Sequence, residues 1–183
     1  FIDSGAFLID FTVEEAIETF YKTINKNIFI YINKNDEKKV RFKGDSNEYD
    51  YKNDIFNTED LFIYYDNKHI IGTDIKQPNE LRGLVSVSSF NKITDIAQAS
   101  FRLRQLNYGH TIDFIIDNEL NKVNNRIKLL DFLNNNENNY ICNESEIKKI
   151  QQNINYLKRS NNKDSFIDKK YIYHIYGEGP LKS

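Results

Sequence analysis

The stretch LRGLVSVSSFNKITDIAQASFRLRQLNYGHTIDFII, residues 81–116, decides the fold. Its first nine residues are an apolar run that is typical of a buried strand. A helix is predicted from Thr94 to Leu106, because Thr94 can cap its amino end. An Asn-Tyr-Gly turn follows, and residues 110–116 are predicted to form another strand. Strands that alternate with helices in this way argue for a mostly parallel sheet.

The same alternation extends toward the amino terminus. Thr12 is a good N-cap, and Glu15 completes a capping box at the start of an amphipathic helix. The runs at 27–33 and 61–67 are each predicted to form a buried strand, with a weak strand near 40–42. We therefore expect an α/β fold whose mostly parallel sheet carries helices on both faces.

The sequence changes character after the last predicted strand. Residues 122–133 and 144–159 are predicted to form two amphipathic helices, separated by an Asn-rich loop at 134–139. We place a domain boundary near residue 117. This gives an α/β domain at 1–117 and a helical extension with a polar and then aromatic tail at 118–183.

Composition and charge exclude several classes of protein. The net charge is −2 and the pI is about 6.0, which argues against strong autonomous binding of nucleic acid. The single cysteine rules out an internal disulfide framework and a multi-cysteine zinc site, and it is typical of a reducing compartment. No apolar run approaches the roughly 20 residues that span a bilayer. We expect an intracellular, cytoplasmic segment of a larger protein, with no membrane partner and no metal of its own.

The first candidate segment is DNKHIIGTDIKQP, residues 66–78, directly after a predicted strand. Ligands bind at the carboxyl ends of strands in open α/β sheets. Gly72 permits an unusual backbone conformation. Thr73 and Asp74 offer a hydroxyl and a carboxylate that can orient a nucleotide, a metal-bound water or a neighbouring loop. The alternative is a plain turn in which Asp74 caps the next element.

The second candidate segment lies on the predicted helix. Gln98, Arg102 and Gln105 fall at near-helical spacing and should share one face, whereas Arg104 lies about 160° away from Arg102. An arginine held on a rigid helix beside a cleft can stabilise charge on a transferring phosphoryl group. The alternative is that Arg102 and Arg104 form surface salt bridges.

Together the two segments resemble a known family. IGTDI at 71–75 is similar to motif V, and QASFR at 98–102 to motif VI, of the second RecA-like lobe of superfamily 2 helicases and chromatin-remodelling ATPases. The resemblance implies that Arg102 is an arginine finger, that Gln98 helps to position the γ-phosphate, and that Asp74 couples nucleotide state to the lobe. It also implies ATP as cofactor, with Mg²⁺ held by an upstream RecA-like lobe of the same polypeptide.

Two observations limit that implied activity. The family usually has a second arginine three residues after the first, but this position is Gln105 and the nearest arginine is Arg104. Whether the NTPase is active or degenerate therefore stays open. The chain also has no phosphate-binding Gly-x-x-x-x-Gly-Lys-[Ser/Thr] loop. We do not expect it to hydrolyse ATP by itself.

A closer resemblance covers about residues 1–116. IDSGAFL, YYDNKHIIGTDIKQP and AQASFRLRQLNYGHTIDF are similar to segments of very large eukaryotic proteins that carry a helicase-like core and are often labelled ubiquitinyl hydrolases. The most specific residues are Asp66, His69, Gly72, Asp74, Ile75, Lys76 and Gln77. This resemblance implies a parent protein of that group, so one alternative is a scaffold segment of a large ubiquitin-specific cysteine protease whose catalytic centre lies elsewhere. A separate alternative is a catalytically silent interaction module, in which the helices after residue 117 carry the function. The partner would then be ubiquitin or another protein.

The cysteine and histidines of the chain have weaker signals. Cys142 lies in an Asn-rich polar stretch without a small-residue nucleophile motif, and nothing in the sequence pairs it with a histidine such as His174. His69, between Asp66 and Asp74, could bind a metal or relay a proton, but a single histidine between a strand and a turn is more often a hydrogen-bonded structural residue.

Overall fold

A computed structural model describes residues 1–45, 47–54 and 56–159, with side chains through Tyr156. The chain divides into two compact units, residues 1–134 and 135–183. The helices and strands are α1 (Val13–Thr23), β1 (Ile28–Ile32), β2 (Lys38–Phe42), β3 (Glu48–Asp50), β4 (Leu61–Ile63), β5 (Leu81–Val87), α2 (Ile93–Ser100), β6 (His110–Ile116) and α3 (Arg126–Arg159). Short 3₁₀ turns lie at Asn67–His69 and Asn118–Leu120.

The strands confirm a mixed α/β fold, but the sheet is less parallel than the sequence predicts. A four-stranded sheet has the order β3-β2-β1-β4, in which β1 and β4 are parallel while β1–β2 and β2–β3 are antiparallel. The physical reason is the short connection from β1 to β2, which leaves no room for a crossover. Asn33 closes that connection, because its Oδ1 accepts hydrogen bonds from the N–H of Asn35 and of Glu37, both at 3.0 Å.

A short amino-terminal segment joins the two sheets. Strands β5 and β6 form a parallel pair, and Ile2 bridges in parallel to Tyr65 on one side and Val85 on the other. Its N–H donates to the carbonyl of Leu84 at 2.8 Å, and the N–H of Asp3 donates to the carbonyl of Tyr65 at 2.8 Å. The parallel part of the fold therefore runs β1, β4, the Ile2 segment, β5 and β6.

Helix α1 begins where the sequence predicts. The Oγ1 of Thr12 accepts from the N–H of Glu15 at 3.2 Å, and the Glu15 carboxylate accepts from the N–H of Thr12 at 2.8 Å, which completes the capping box. The apolar face of α1 buries Ile17 with Tyr31 and Tyr64. This face covers one side of the first sheet.

Helix α2 is shorter than predicted. The N–H of Lys92 donates to the carboxylate of Asp95 at 2.8 Å, so the helix begins at Ile93 and Thr94 is not its cap. It ends at Ser100, after which the backbone makes i→i+3 hydrogen bonds. These tighter turns bring the buried Leu103 against Gly83, where an added Cβ would lie 2.5 Å from the Leu103 Cδ1.

The carboxyl-terminal region is one helix rather than two. α3 runs without interruption through the Asn-rich residues 134–139. Each asparagine lowers helix stability by at most about 0.7 kcal/mol relative to alanine, and the run contains no glycine or proline to break the helix. Leu129 and Leu133 are buried in the core of the first unit, which therefore includes the start of α3.

None of the described helices is both long and apolar enough to cross a membrane. The aromatic tail and His174 lie outside the described residues.

Candidate functional site

Hydrogen bonds join the two segments that the sequence singles out. A guanidinium N–H of Arg102, on Nη1, donates to the carbonyl oxygen of Thr73. The side-chain amide of Gln77 donates to the carbonyl of Arg102 at 2.8 Å, and the Nε of Arg104 donates to the carboxylate of Asp74 at 3.0 Å. We call Thr73, Asp74, Gln77, Arg102 and Arg104 together the seam. It fastens the β4–β5 connection to the turns that follow α2.

The turn that supplies Thr73 and Asp74 needs its glycine. Gly72 has a φ of +82°, a conformation that side chains other than glycine rarely adopt. An added Cβ there would meet no heavy atom within 4 Å, so the backbone conformation rather than the space requires glycine. Lys38, at the start of β2, donates from Nζ to the carbonyl of Asp74 at 2.6 Å and fixes the turn against the first sheet.

The two arginines of the seam differ in burial. The Arg104 and Asp74 side chains are 49% and 69% exposed, and such an exposed ion pair stabilises a fold by only about 0–1 kcal/mol. Arg102 is partly buried, and its Nε is a buried donor that has no hydrogen-bond partner among the described residues. A buried donor without a partner costs about 1–3 kcal/mol.

Tyr65 lies buried beside the seam. Burial raises its pKa to about 12, although the Gln77 side chain and the Arg102 charge act in the opposite direction. Tyr65 is thus a neutral phenol at physiological pH. It contributes packing and a polar contact for Gln77 and does not act as a base.

The structure corrects the proposed shared face of α2. Gln98 is exposed on α2, but the helix ends at Ser100, before Arg102 and Gln105. Because the chain then follows tighter turns, these three residues do not share one helical face. The hydrogen bonds of the seam do not include Gln98. Arg104 can contact Asp74 because α2 has already ended before residue 104. The spacing of residues in the sequence did not predict this contact.

His69 is held between two carboxylates. It is buried, its Nδ1 lies 2.5 Å from Asp66 Oδ1, and its Nε2 lies 2.9 Å from Asp36 Oδ1. Lys68 also contacts Asp36, and Lys68 and His69 together hold the pKa of that carboxyl below its usual range. Asp74 takes no part, because its carboxylate pairs with Arg104.

This arrangement favours the structural interpretation of His69. Its two ring nitrogens face different carboxylates, so the three groups do not converge on one point. No group of three or more potential ligands is placed to hold a metal ion in the part of the chain that the structure describes. Lys76, which also belongs to the residues that carry the closer resemblance, contributes its carbonyl oxygen, which accepts from the Tyr51 hydroxyl at 3.4 Å.

Cys142 and His110 lie in different units and have different surroundings. Cys142 is exposed on α3 in the second unit, whereas His69 and His110 belong to the first. His110 is buried, its Nε2 lies 2.8 Å from the carbonyl of Pro78, and its Nδ1 accepts from the N–H of Gln105 at 3.3 Å. Both ring nitrogens of His110 are therefore used to fasten β6 to the preceding connections.

Sequence reasoning missed a buried polar cluster at the carboxyl end of the Ile2 segment. The carboxylate of Asp3 accepts from the N–H of Phe7 and of Leu8, both at 2.9 Å, and from the hydroxyl of Ser86 at 2.7 Å. The Ser86 hydroxyl in turn accepts from the N–H of Gly5 at 2.8 Å. Two features of the sequence could have indicated this cluster: the Asp-Ser-Gly turn at residues 3–5, and Ser86 among the apolar residues of β5. These bonds build the loop at the sheet edge where α/β proteins bind ligands.

Comparison of the chain with family models, curated proteins and solved structures finds no match. The class of the protein is thus given by its fold: a mixed α/β unit with a long carboxyl-terminal helix. The seam is the feature that a proposal on function has to explain.

Proposed function

We propose that residues 1–117 are the second RecA-like lobe of a helicase-type NTPase, which contributes residues to an NTP site shared with an upstream lobe. The single observation that carries the proposal is the seam. It joins the motif V-like turn at Thr73 and Asp74 to the motif VI-like segment at Arg102 and Arg104. In such a lobe, a change in the bound nucleotide has to move both segments together, and this requires direct contact between them.

The parallel part of the sheet supports this proposal. β1, β4, the Ile2 segment, β5 and β6 run parallel, as a RecA-like lobe requires, and α1 and α2 are crossovers on it. The antiparallel β2–β3 hairpin is then an addition at one edge.

The chemistry of the two arginines suits a shared phosphate site. A guanidinium has five N–H donors, and the Thr73 carbonyl takes one from Arg102. Arg102 can therefore hold the motif V-like turn and donate to a phosphate oxygen of ATP in the upstream lobe. Arg104 is more exposed, and an incoming phosphate would compete with Asp74 for its guanidinium. ATP, with Mg²⁺ held by the upstream lobe, would supply the phosphoryl group.

ATP hydrolysis by a polypeptide that contains both this chain and the proposed upstream lobe tests the proposal. Arg102→Ala should lower kcat by about 10³-fold or more while nucleotide binding persists. Arg82→Ala is the control, because Arg82 is an exposed arginine outside the seam, whose Nε donates to the carboxylate of Asp113 at 2.5 Å. An Arg102→Ala protein with the parental kcat, or robust turnover by the 183-residue chain alone, would sink the assignment.

The exposed apolar side chains of α3 favour a second candidate, a catalytically silent interaction module. Ile127 and Tyr156 are each 72% exposed, and Ile141 is 54% exposed. Ubiquitin is the probe that the resemblance suggests. Calorimetric titration of the chain with ubiquitin should show binding that Ile141→Asp abolishes and Asn139→Asp leaves intact. Absence of binding to the parental chain would remove ubiquitin as the partner.

A further inference from the structure

A slot lies in the sheet between β4 and β5. It is a cavity of about 400 Å³ on the amino-terminal side of Phe1. Residues 61–63 form one wall and residues 81–84 form the other. Leu103 also lines it. The lining is mainly apolar, although Lys26, Arg82 and Asp113 contribute to it as well.

The width of the slot fits one strand. Ile2 pairs with Tyr65 beyond β4 and with Val85 in β5, which places these two strands two strand spacings apart. At about 4.8 Å per spacing, that separation is about 9.6 Å. The wall from Leu81 to Leu84 is about 13 Å long at roughly 3.3 Å per residue, which corresponds to four residues of an extended chain.

Backbone groups on both walls face into the slot. In a parallel ladder, alternate residues of a strand bond to opposite neighbours. The N–H of Tyr64 donates to Ile30 in β1, whereas that of Tyr65 donates to Phe1, so Ile63 faces the slot. On the other wall, the N–H of Ser86 donates to Ile2, which places Leu84 on the slot side as well.

The amino group of Phe1 already lies in the register of such a ladder. It is buried and donates to the carbonyl of Ile63 at 2.5 Å, the position that a peptide N–H of a continuing strand would take. Burial lowers the pKa of this amine to about 5. A peptide N–H would make the same hydrogen bond without a charge to desolvate.

We propose that the slot accepts an extended, mainly apolar segment of about four residues, joined to Phe1 by a peptide bond, as a parallel strand between β4 and β5. The carbonyl of the added residue bonded to Phe1 would accept from the N–H of Leu84. The carbonyl of the added residue one position further from Phe1 would accept from the N–H of Ile63. The segment would join the two sheets over the full length of β4. This inference does not rest on the NTPase proposal, because it is argued from the register of the central strands, although Gln77 of the seam also lines the slot.

Hydrogen exchange measured by NMR tests the strand directly. The 183-residue chain is compared with a variant that carries Thr-Ile-Thr-Val before Phe1 and with a control that carries Thr-Ile-Pro-Val, since proline cannot donate to a ladder. The strand extension should slow exchange of both the Ile63 and the Leu84 amides by at least about tenfold. The proline control lacks the N–H that pairs with β4, so it should slow exchange at Leu84 but not at Ile63. Equal protection of the Ile63 amide in the two extended variants would overturn the proposal, because pairing with β4 would then not account for the effect.

Acetylation of the Phe1 amine provides a second variant with minimal change to the chain. The acetyl carbonyl would lie where the carbonyl of the added residue bonded to Phe1 would lie. It should therefore protect the Leu84 amide from exchange and leave the Ile63 amide unprotected. Exchange that is unchanged at Leu84 in the acetylated chain would contradict the proposed register.

Discussion

Acetylation of the Phe1 amine should stabilise the chain, and the effect should depend on pH. The amine is buried, and desolvation lowers its pKa from the ordinary 8.0 to about 5. Between these values the unfolded chain binds a proton that the folded chain does not, so the stability of the unmodified chain rises with pH. The cost of releasing this proton on folding is about 3 kcal/mol at pH 6 and about 1 kcal/mol at pH 7, and it falls close to zero above about pH 9.

Urea unfolding of the acetylated and unmodified chains at several pH values measures this cost. Histidines and carboxyl groups titrate in both chains, so the difference in unfolding free energy isolates the amine. The difference should almost disappear by about pH 9 and should grow steadily as the pH is lowered from there to about pH 6. A constant difference across this range, or one that grows with pH, would refute the argument that the amine is buried without its charge.

Two further substitutions test other parts of the fold. Asp3→Ala should lower the free energy of unfolding by at least about 3 kcal/mol, because it removes the acceptor for two backbone N–H groups and the Ser86 hydroxyl. The exposed Asp10→Ala is its control and should change stability by less than about 0.5 kcal/mol in the same urea titration. Asn135→Pro should interrupt α3 and reduce the circular dichroism at 222 nm, whereas Asn135→Ala should not; an unchanged spectrum for the proline variant would contradict a continuous helix.

The features that sequence predicted correctly are local ones. The Thr12–Glu15 capping box depends on residues three positions apart, and the apolar run of β1 identifies a buried strand by itself. The end of α2 depends instead on Leu103 packing against Gly83, twenty residues earlier, which no pattern within the helix reports. The sequence does not predict the continuity of α3, because an Asn-rich run is typical of a loop, although asparagine weakens a helix without ending it.

The candidate site shows the same division. Both segments were chosen from their residue types, but the seam itself depends on a tertiary contact between Asp74 and Arg104, thirty residues apart. Helical spacing predicts that Arg102 shares a face with Gln98, whereas in the structure Arg102 donates a hydrogen bond to Thr73. Residue type therefore identified the arginines, and only the path of the chain after α2 determined what they contact.

The seam and the slot affect the same part of the molecule. Within the described residues, Ile2 bridges the first sheet to β5, and the seam joins the β4–β5 connection to the turns after α2. A strand in the slot would add backbone hydrogen bonds between β4 and β5, the two strands whose connection carries Thr73 and Asp74. Those added hydrogen bonds would make the sheet stiffer next to that connection, which is itself hydrogen-bonded to Arg102 and Arg104. Filling the slot should therefore reduce movement at the seam, even though none of the seam's charged side chains touches the added strand in the proposed register.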